Sequence, residues 1–262
     1  MKTRVRNREL SAQDFRRLNA PSYSESPKAR NMKVLGLIGG LTWEATSIYY
    51  EVMNRRVREH LGGSHSAKCI IYSFDLEDIV TLQHSGDWDQ AGKLMASAAA
   101  TLKNAQVDAI LICTNTMHKF ATTVESTSGL PLLHIADATA ERVKSSNIRC
   151  VGLLGTRFTM EEEFYKSRLI EKHNLQVIIP EEDQREVVHR IIYDELCKGI
   201  ISDESRSAYV AIIESMAKAG AEGIILGCTE IGLLVRPVDV SLPLFDTTVV
   251  HAEVAADWAL SA

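Results

Sequence analysis

The chain carries one pattern twice, and that repeat limits the fold more than any other feature. Val34-Leu35-Gly36-Leu37-Ile38-Gly39 returns as Cys150-Val151-Gly152-Leu153-Leu154-Gly155. Residues 107–116, which end in Cys113-Thr114-Asn115-Thr116, return as 221–230, which end in Gly227-Cys228-Thr229-Glu230. Leu130-Pro131-Leu132 returns as Leu242-Pro243-Leu244. Three anchors in one order, separated by 116, 114 and 112 residues, imply a duplicated unit. In this register Thr114 faces Cys228.

Each repeat places short apolar, β-branched runs between helical patterns, the signature of parallel sheets covered by helices. The fold class expected is therefore α/β: two similar α/β domains with mostly parallel sheets, related by a pseudo-twofold, with the active site between them. A chain of 262 residues sits where single cores begin to split. The divisions expected are a tail over 1–31, a first half over 32–147 and a second half over 148–262, with the final helix free to pack on the first half.

Along the first half, Lys33–Ile38 reads as a strand that ends in the Gly39-Gly40 turn, where backbone N–H groups can approach a ligand. Thr42 can cap the helix that follows. Cys69–Phe74 reads as a second strand, and Asp87-x-x-Gln90 as the start of a helix reaching about Asn104. The second half repeats the alternation, with strands at 149–154 and 175–179, helices near 160–173, 182–197 and 203–219, and a strand ending at Gly227. A last helix over about 248–260 is the counterpart of one near 137–146.

Composition excludes several classes. Residues 1–30 are net +5 and leave the remainder at −10, so the body has no basic excess for nucleic acid. The tail reads as disordered, as an upstream start ahead of Met32, or as a targeting segment. No apolar run approaches the roughly 18 residues of a membrane span. Five cysteines, an odd number in mostly apolar contexts, fit reduced thiols in a cytoplasmic protein. The histidines show no pair at ligand spacing and Cys-x-x-Cys is absent, so no metal is expected.

Gly39-Gly40-Leu41-Thr42-Trp43-Glu44-Ala45-Thr46, Cys113-Thr114-Asn115-Thr116-Met117-His118 and Gly227-Cys228-Thr229-Glu230 together resemble the three signature regions of the aspartate/glutamate racemase family. The resemblance spans about 32 to 260. It implies a cofactor-independent isomerase acting on aspartate and/or glutamate, an amino acid as the only small-molecule partner, and a homodimer. In the family a cysteine precedes Asn-Thr in the first half and another precedes Thr-Glu in the second. Here the second is Cys228, while the first position holds Thr114.

The chemistry supports those residue types. Moving an α-proton from one face of an amino acid to the other needs a proton-transfer group on each side. A thiol with pKa near 8.5 can serve as base and acid close to neutral pH. Cys228 and Thr114 are thus the expected catalytic pair, and the resemblance implies that Cys228 takes the proton of the L-enantiomer. The carbanion-like state needs donors at the α-carboxylate. Asn115, Thr116 and Thr229 are available for this, and Glu230 for the ammonium. Leu41 belongs to the first signature region and completes the substrate contacts.

Cys113 points to the opposite strand face from its neighbour and reads as core, as do Cys69, Cys150 and Cys197. His118 either sits one helical turn from the site or solvates the start of that helix. For a distal carboxylate, the region after the second strand holds Asp75-Leu76-Glu77-Asp78 where family members that take aspartate commonly have an arginine. Gln83 is then the best donor nearby, with Arg157, Lys166 and Lys198 as candidate cations. The alternatives are a superfamily decarboxylase using Cys228 alone, and an amino-acid-binding protein that has lost one acid/base group.

Overall fold

A computed structural model describes residues 31–261; the basic tail lies outside them. Strands β1 (Leu35–Gly39), β2 (Cys69–Ser73) and β3 (Ala109–Ile112) form a parallel sheet of order β2-β1-β3. Leu132 bridges Ile110 on its far side. Strands β4 (Cys150–Gly155), β5 (Gln176–Ile178), β6 (Gly223–Gly227) and β7 (Leu244–Asp246) form a second parallel sheet of order β5-β4-β6-β7.

The repeated residues do repeated work. Asp108 heads β3, and its carboxylate accepts the Val34 N–H at 2.6 Å, just before β1. Glu222 heads β6, and its carboxylate accepts the Arg149 and Cys150 N–H groups at 2.8 and 3.1 Å, at the start of β4. The two Leu-Pro-Leu segments dock alike. Ile110 N–H donates to Pro131 C=O at 3.0 Å, and Ile224 N–H to Pro243 C=O at 2.9 Å.

In the first half the helices are α1 (Trp43–Leu61), α2 (Leu76–Ser85), α3 (Trp88–Asn104), α4 (Ala121–Ser128) and α5 (Ile135–Ser145). In the second they are α6 (Arg157–Glu161), α7 (Glu163–Ser167), α8 (Glu182–Asp194), α9 (Asp203–Lys218), α10 (Ile231–Leu234) and α11 (Thr247–Leu260). Asp87 caps α3 by accepting Gln90 N–H at 3.1 Å, and Thr42 caps α1 by accepting Ala45 N–H at 3.2 Å. Three details differ from the sequence reading. Residues 157–172 form α6, α7 and a π turn rather than one helix. The segment read as 182–197 breaks after Asp194, with a 3₁₀ turn over Leu196–Lys198. Helix α2 was not anticipated.

The last helix of each half packs into the core of the other. Ala252, Ala255, Ala256 and Ala259 of α11 bury against Leu35, Leu37, Tyr49 and Met53. Ile135, Ala136, Ala140 and Val143 of α5 bury against Val151, Leu153 and Ile225. Small alanines let α11 approach that core closely. Among the described residues no helix is long and apolar enough to cross a membrane.

Candidate active site

A narrow cleft lies where the carboxyl ends of the two sheets meet. Ligands of open α/β sheets bind beyond such strand ends. Its floor comes from residues just past strands: Leu41 and Thr42 after β1, Thr114 and Thr116 after β3, Thr156 after β4 and Cys228 after β6. Its walls come from α2 and α8, through Leu76, Ile79, Val80 and Gln83 on one side and Ile192 and Tyr193 on the other.

Of the residues singled out from sequence, Leu41, Gln83, Thr114, Thr116 and Cys228 line this cleft, while Asn115, Thr229 and Glu230 are buried immediately beside lining residues. Glu230 is 4% exposed and its two oxygens are occupied. Thr42 hydroxyl donates to Oε1 at 2.6 Å; Thr229 hydroxyl and the Cys228 thiol donate to Oε2 at 2.7 and 2.9 Å. Thr42 thus caps α1 and also ties the first half to the second. Burial and then the Glu230 charge push the Cys228 thiol well above its ordinary range, so it rests protonated.

The orientation of the Asn115 amide follows from its partners. Thr247 hydroxyl donates to Leu226 C=O at 2.8 Å, so Thr247 Oγ1 can only accept from Asn115 Nδ2, at 3.0 Å. That leaves Asn115 Oδ1 buried with no hydrogen-bond partner among the described residues. Asn115 therefore carries a buried, unpaired acceptor next to the lining residues Thr114 and Thr116, where the sequence suggested a donor to a carboxylate.

His118 is buried beneath the floor. Its Nδ1–H donates to Thr114 C=O at 2.7 Å and its Nε2 accepts Ile135 N–H at 3.2 Å, which fixes a neutral tautomer. The ring lies 4.4 Å from that of His134 and 5.9 Å from that of His251, centroid to centroid. His134 Nδ1 accepts Ala136 N–H at 3.2 Å. His251 donates through Nε2 to Leu133 C=O at 2.7 Å and accepts from the Tyr49 hydroxyl at 2.6 Å. Burial holds all three rings well below the usual histidine range, His134 at about 3 and His251 at about 4.

The Gly39-Gly40 turn serves the fold. Gly40 has φ of 73°, and a Cβ there would stand 2.1 Å from Phe74 C=O. Its N–H donates to Thr46 Oγ1 at 2.9 Å, so that amide is already engaged within the protein. Cys113 is fully buried in the core under β3, and burial pushes its thiol up. Cys69 and Cys150 are half-buried. Cys197, read as core, lines the cleft as a half-buried thiol whose pKa burial raises to about 12. Tyr193 was missed altogether. Its hydroxyl donates to Gln83 Oε1 at 3.0 Å across the cleft.

None of the candidate cations lines the cleft. Arg157 and Lys198 are exposed, and Lys166 pairs with Glu163 at 3.2 Å. No group of three or more His, Cys, Asp or Glu placed to hold a metal exists among the described residues.

Two parallel α/β sheets thus meet with their strand ends around one cleft, and a threonine and a cysteine from matching repeats lie on its floor. The family model for Asp/Glu/hydantoin racemases matches residues 38–255, and the chain belongs to that family. It is 55% identical to a candidate Asp/Glu racemase of known structure from Yersinia pestis, over 88% of this chain and 100% of that one, with a TM-score of 0.82. It is 33% identical to an aspartate racemase homologue from Pyrococcus horikoshii, over 87% and 99% of the two chains, with a TM-score of 0.75. It is also 23% identical to a broad specificity amino-acid racemase of Bacillus subtilis, over 62% of this chain and 69% of the relative.

Proposed function

We propose that the chain is a cofactor-independent amino-acid racemase, acting on aspartate and/or glutamate, in which Cys228 takes the α-proton of the L-enantiomer and Thr114 meets the opposite face. The observation that carries this reading is that Thr114 and Cys228, equivalent positions of the repeat, line one cleft. Cys228 rests as a thiol, so it must first release its proton, and the Glu230 oxygen 2.9 Å away is positioned to take it. The thiolate then accepts the α-proton. The Thr116 and Thr156 hydroxyls, 3.1 Å apart on the floor, are placed to donate to the α-carboxylate as negative charge grows there. Asn115 Oδ1 is the acceptor for the ammonium. For a distal carboxylate the candidate cations beside the cleft are Arg157 and Lys198, whose chain neighbours Thr156 and Cys197 line it. The reading includes a cytoplasmic location and a homodimer, and light scattering tests the second.

α-Deuterium incorporation into L-aspartate or L-glutamate in D₂O tests the chemistry. The wild-type chain should exchange; folded Cys228→Ala should not. One thiol on the floor would also suffice for a decarboxylase of the superfamily. CO₂ release from an arylmalonate, with no exchange of amino acids, would favour that second reading.

A further inference from the structure

Resting on the racemase reading, we infer that this cleft turns over amino acids with an uncharged, unbranched side chain about as long as that of glutamate, and turns them over at least as well as glutamate itself. The α-carbon chemistry is confined to the strand-end floor, and the side chain of a bound amino acid must lie between α2 and α8. That space is walled by Leu76, Ile79, Val80 and Ile192, with no lysine or arginine among the lining residues. The two polar groups on the walls are neutral. Tyr193 hydroxyl donates to Gln83 Oε1 at 3.0 Å, and Gln83 Nε2 points at Met117 Sδ at 3.5 Å. Thioether sulfur is a weak acceptor, so the Gln83 amide has a donor to offer a better one.

A carboxylate placed here would be removed from water with no cation lining the cleft, whose lining residue Cys228 hydrogen-bonds the buried Glu230. Desolvation and like charge both oppose it. The basic side chains nearest in sequence to lining residues are either paired with a carboxylate or exposed, and none of them lines the cleft. Lys119 pairs with Glu162, Arg185 with Glu161 and Lys166 with Glu163, while Arg157 and Lys198 are exposed. An amide or thioether side chain meets no such penalty. The apolar walls suit its methylenes, and the Gln83 amide can donate to a carbonyl or sulfur at its end.

L-Glutamate, L-glutamine and L-methionine have chains of similar length and differ at the end. Their kcat/KM values for α-deuterium exchange, measured with the full chain in D₂O, give the test. At least one of glutamine and methionine should match or exceed glutamate. A glutamate value above both overturns the inference and shows that a cation reaches the walls during binding. Loss of exchange with all three and with aspartate would sink the racemase reading, and this one with it. Val80→Arg supplies the missing cation on the wall of α2. In a variant whose melting temperature shows it folded, it should raise the glutamate-to-glutamine ratio at least tenfold. An unchanged ratio in that variant means the walls do not read the side chain, which also overturns the inference.

Discussion

The Cys228 thiol donates to Glu230 Oε2 at 2.9 Å, and the same carboxylate is fixed by hydroxyls from both halves, Thr42 and Thr229. The carboxylate is therefore held in place as an acceptor for the thiol proton, and its charge is one of the causes that keep Cys228 protonated. Glu230→Gln keeps the size but removes the charge and the basic oxygen that can take a proton, and its amide can accept at only one of the two positions now met by Thr42, Thr229 and Cys228. Loss of a positioned proton-transfer group costs on the order of 10²- to 10⁴-fold in rate, so kcat/KM for exchange should fall within that range. Removing a neighbouring negative charge lowers a thiol pKa, so the limb of the pH profile on which activity rises should move to lower pH. An unchanged limb together with an unchanged rate would remove Glu230 from the proton path.

Cys113 illustrates the opposite fate of a thiol one residue from a floor position. It is fully buried in the cluster under β3, where a hydroxyl would be withdrawn from water. Cys113→Ser should cost about 1–3 kcal/mol of stability while α-deuterium exchange by the folded fraction stays within a few-fold. Denaturant unfolding and exchange kinetics on one preparation decide it. Lost exchange at unchanged stability would make Cys113 a catalytic thiol.

Why some of this was legible and some was not follows from where each signal resides. The repeat anchors fall on β1 and β4, on β3 and β6, and on the two Leu-Pro-Leu dockings, because each performs the same local job twice: an apolar strand, an acidic residue that latches the first strand, and a proline carbonyl that accepts one amide. Those are short-range patterns that sequence displays directly. Helix α2 was hidden because Asp75-Leu76-Glu77-Asp78 looks like a polar loop. Asp75 is in fact an N-cap that accepts Glu77 N–H at 3.1 Å, and the following acids sit in a first turn, where they suit the helix dipole. Missing α2 concealed the wall that carries Gln83. Tyr193 and Cys197 depend on how α8 crosses the cleft, and no local pattern reports a contact over 110 residues such as Tyr193–Gln83. The exchange of α5 and α11 between cores is likewise a matter of packing rather than periodicity.

The three buried histidines make a prediction about pH. His118, His134 and His251 are held neutral in the fold, whereas an unfolded chain protonates them at about pH 6.5. Below that value the unfolded state binds protons that the folded state refuses, so stability must fall as the pH drops from 6.5 toward the folded values. Each histidine contributes up to about 1.4 kcal/mol per pH unit. Together they should lower the unfolding free energy by roughly 3–4 kcal/mol between pH 6 and pH 5. Asp137, whose carboxyl is held low against its burial by Arg168, Lys172 and His173, adds to the fall only once the pH drops into the usual carboxylate range, where the unfolded chain takes up its proton first. His134→Asn keeps an N-cap side chain on α5 without a titrating ring, and it should reduce the slope by about one third. Equal stability at pH 6 and pH 5 would mean the cluster accepts protons while folded.

The pairing of a hydroxyl with a thiol sets the last expectation, which concerns the balance of exchange and inversion. Cys228 has a carboxylate to take its proton, while Thr114 offers an unactivated hydroxyl on a turn whose carbonyl His118 holds. Such a hydroxyl is poorly matched to proton transfer near neutral pH. Once Cys228 has taken the α-proton of an L-amino acid, the carbanion should be reprotonated from the Cys228 side more often than from the Thr114 side. Deuterium from D₂O should therefore enter recovered L-substrate faster than D-enantiomer accumulates. The two enantiomers have equal energy in water, so kcat/KM must be equal in the two directions, and any apparent preference for L can show only in kcat and KM separately. NMR of α-deuteration beside optical rotation measures both processes in one sample. Thr114→Cys should close the gap by speeding inversion, and His118→Phe, which unties the Thr114 carbonyl, should widen it in the folded fraction. Equal initial rates of exchange and inversion in the wild-type chain, with the Cys228 proton shown to exchange with solvent within the life of the intermediate, would rule out the one-sided mechanism.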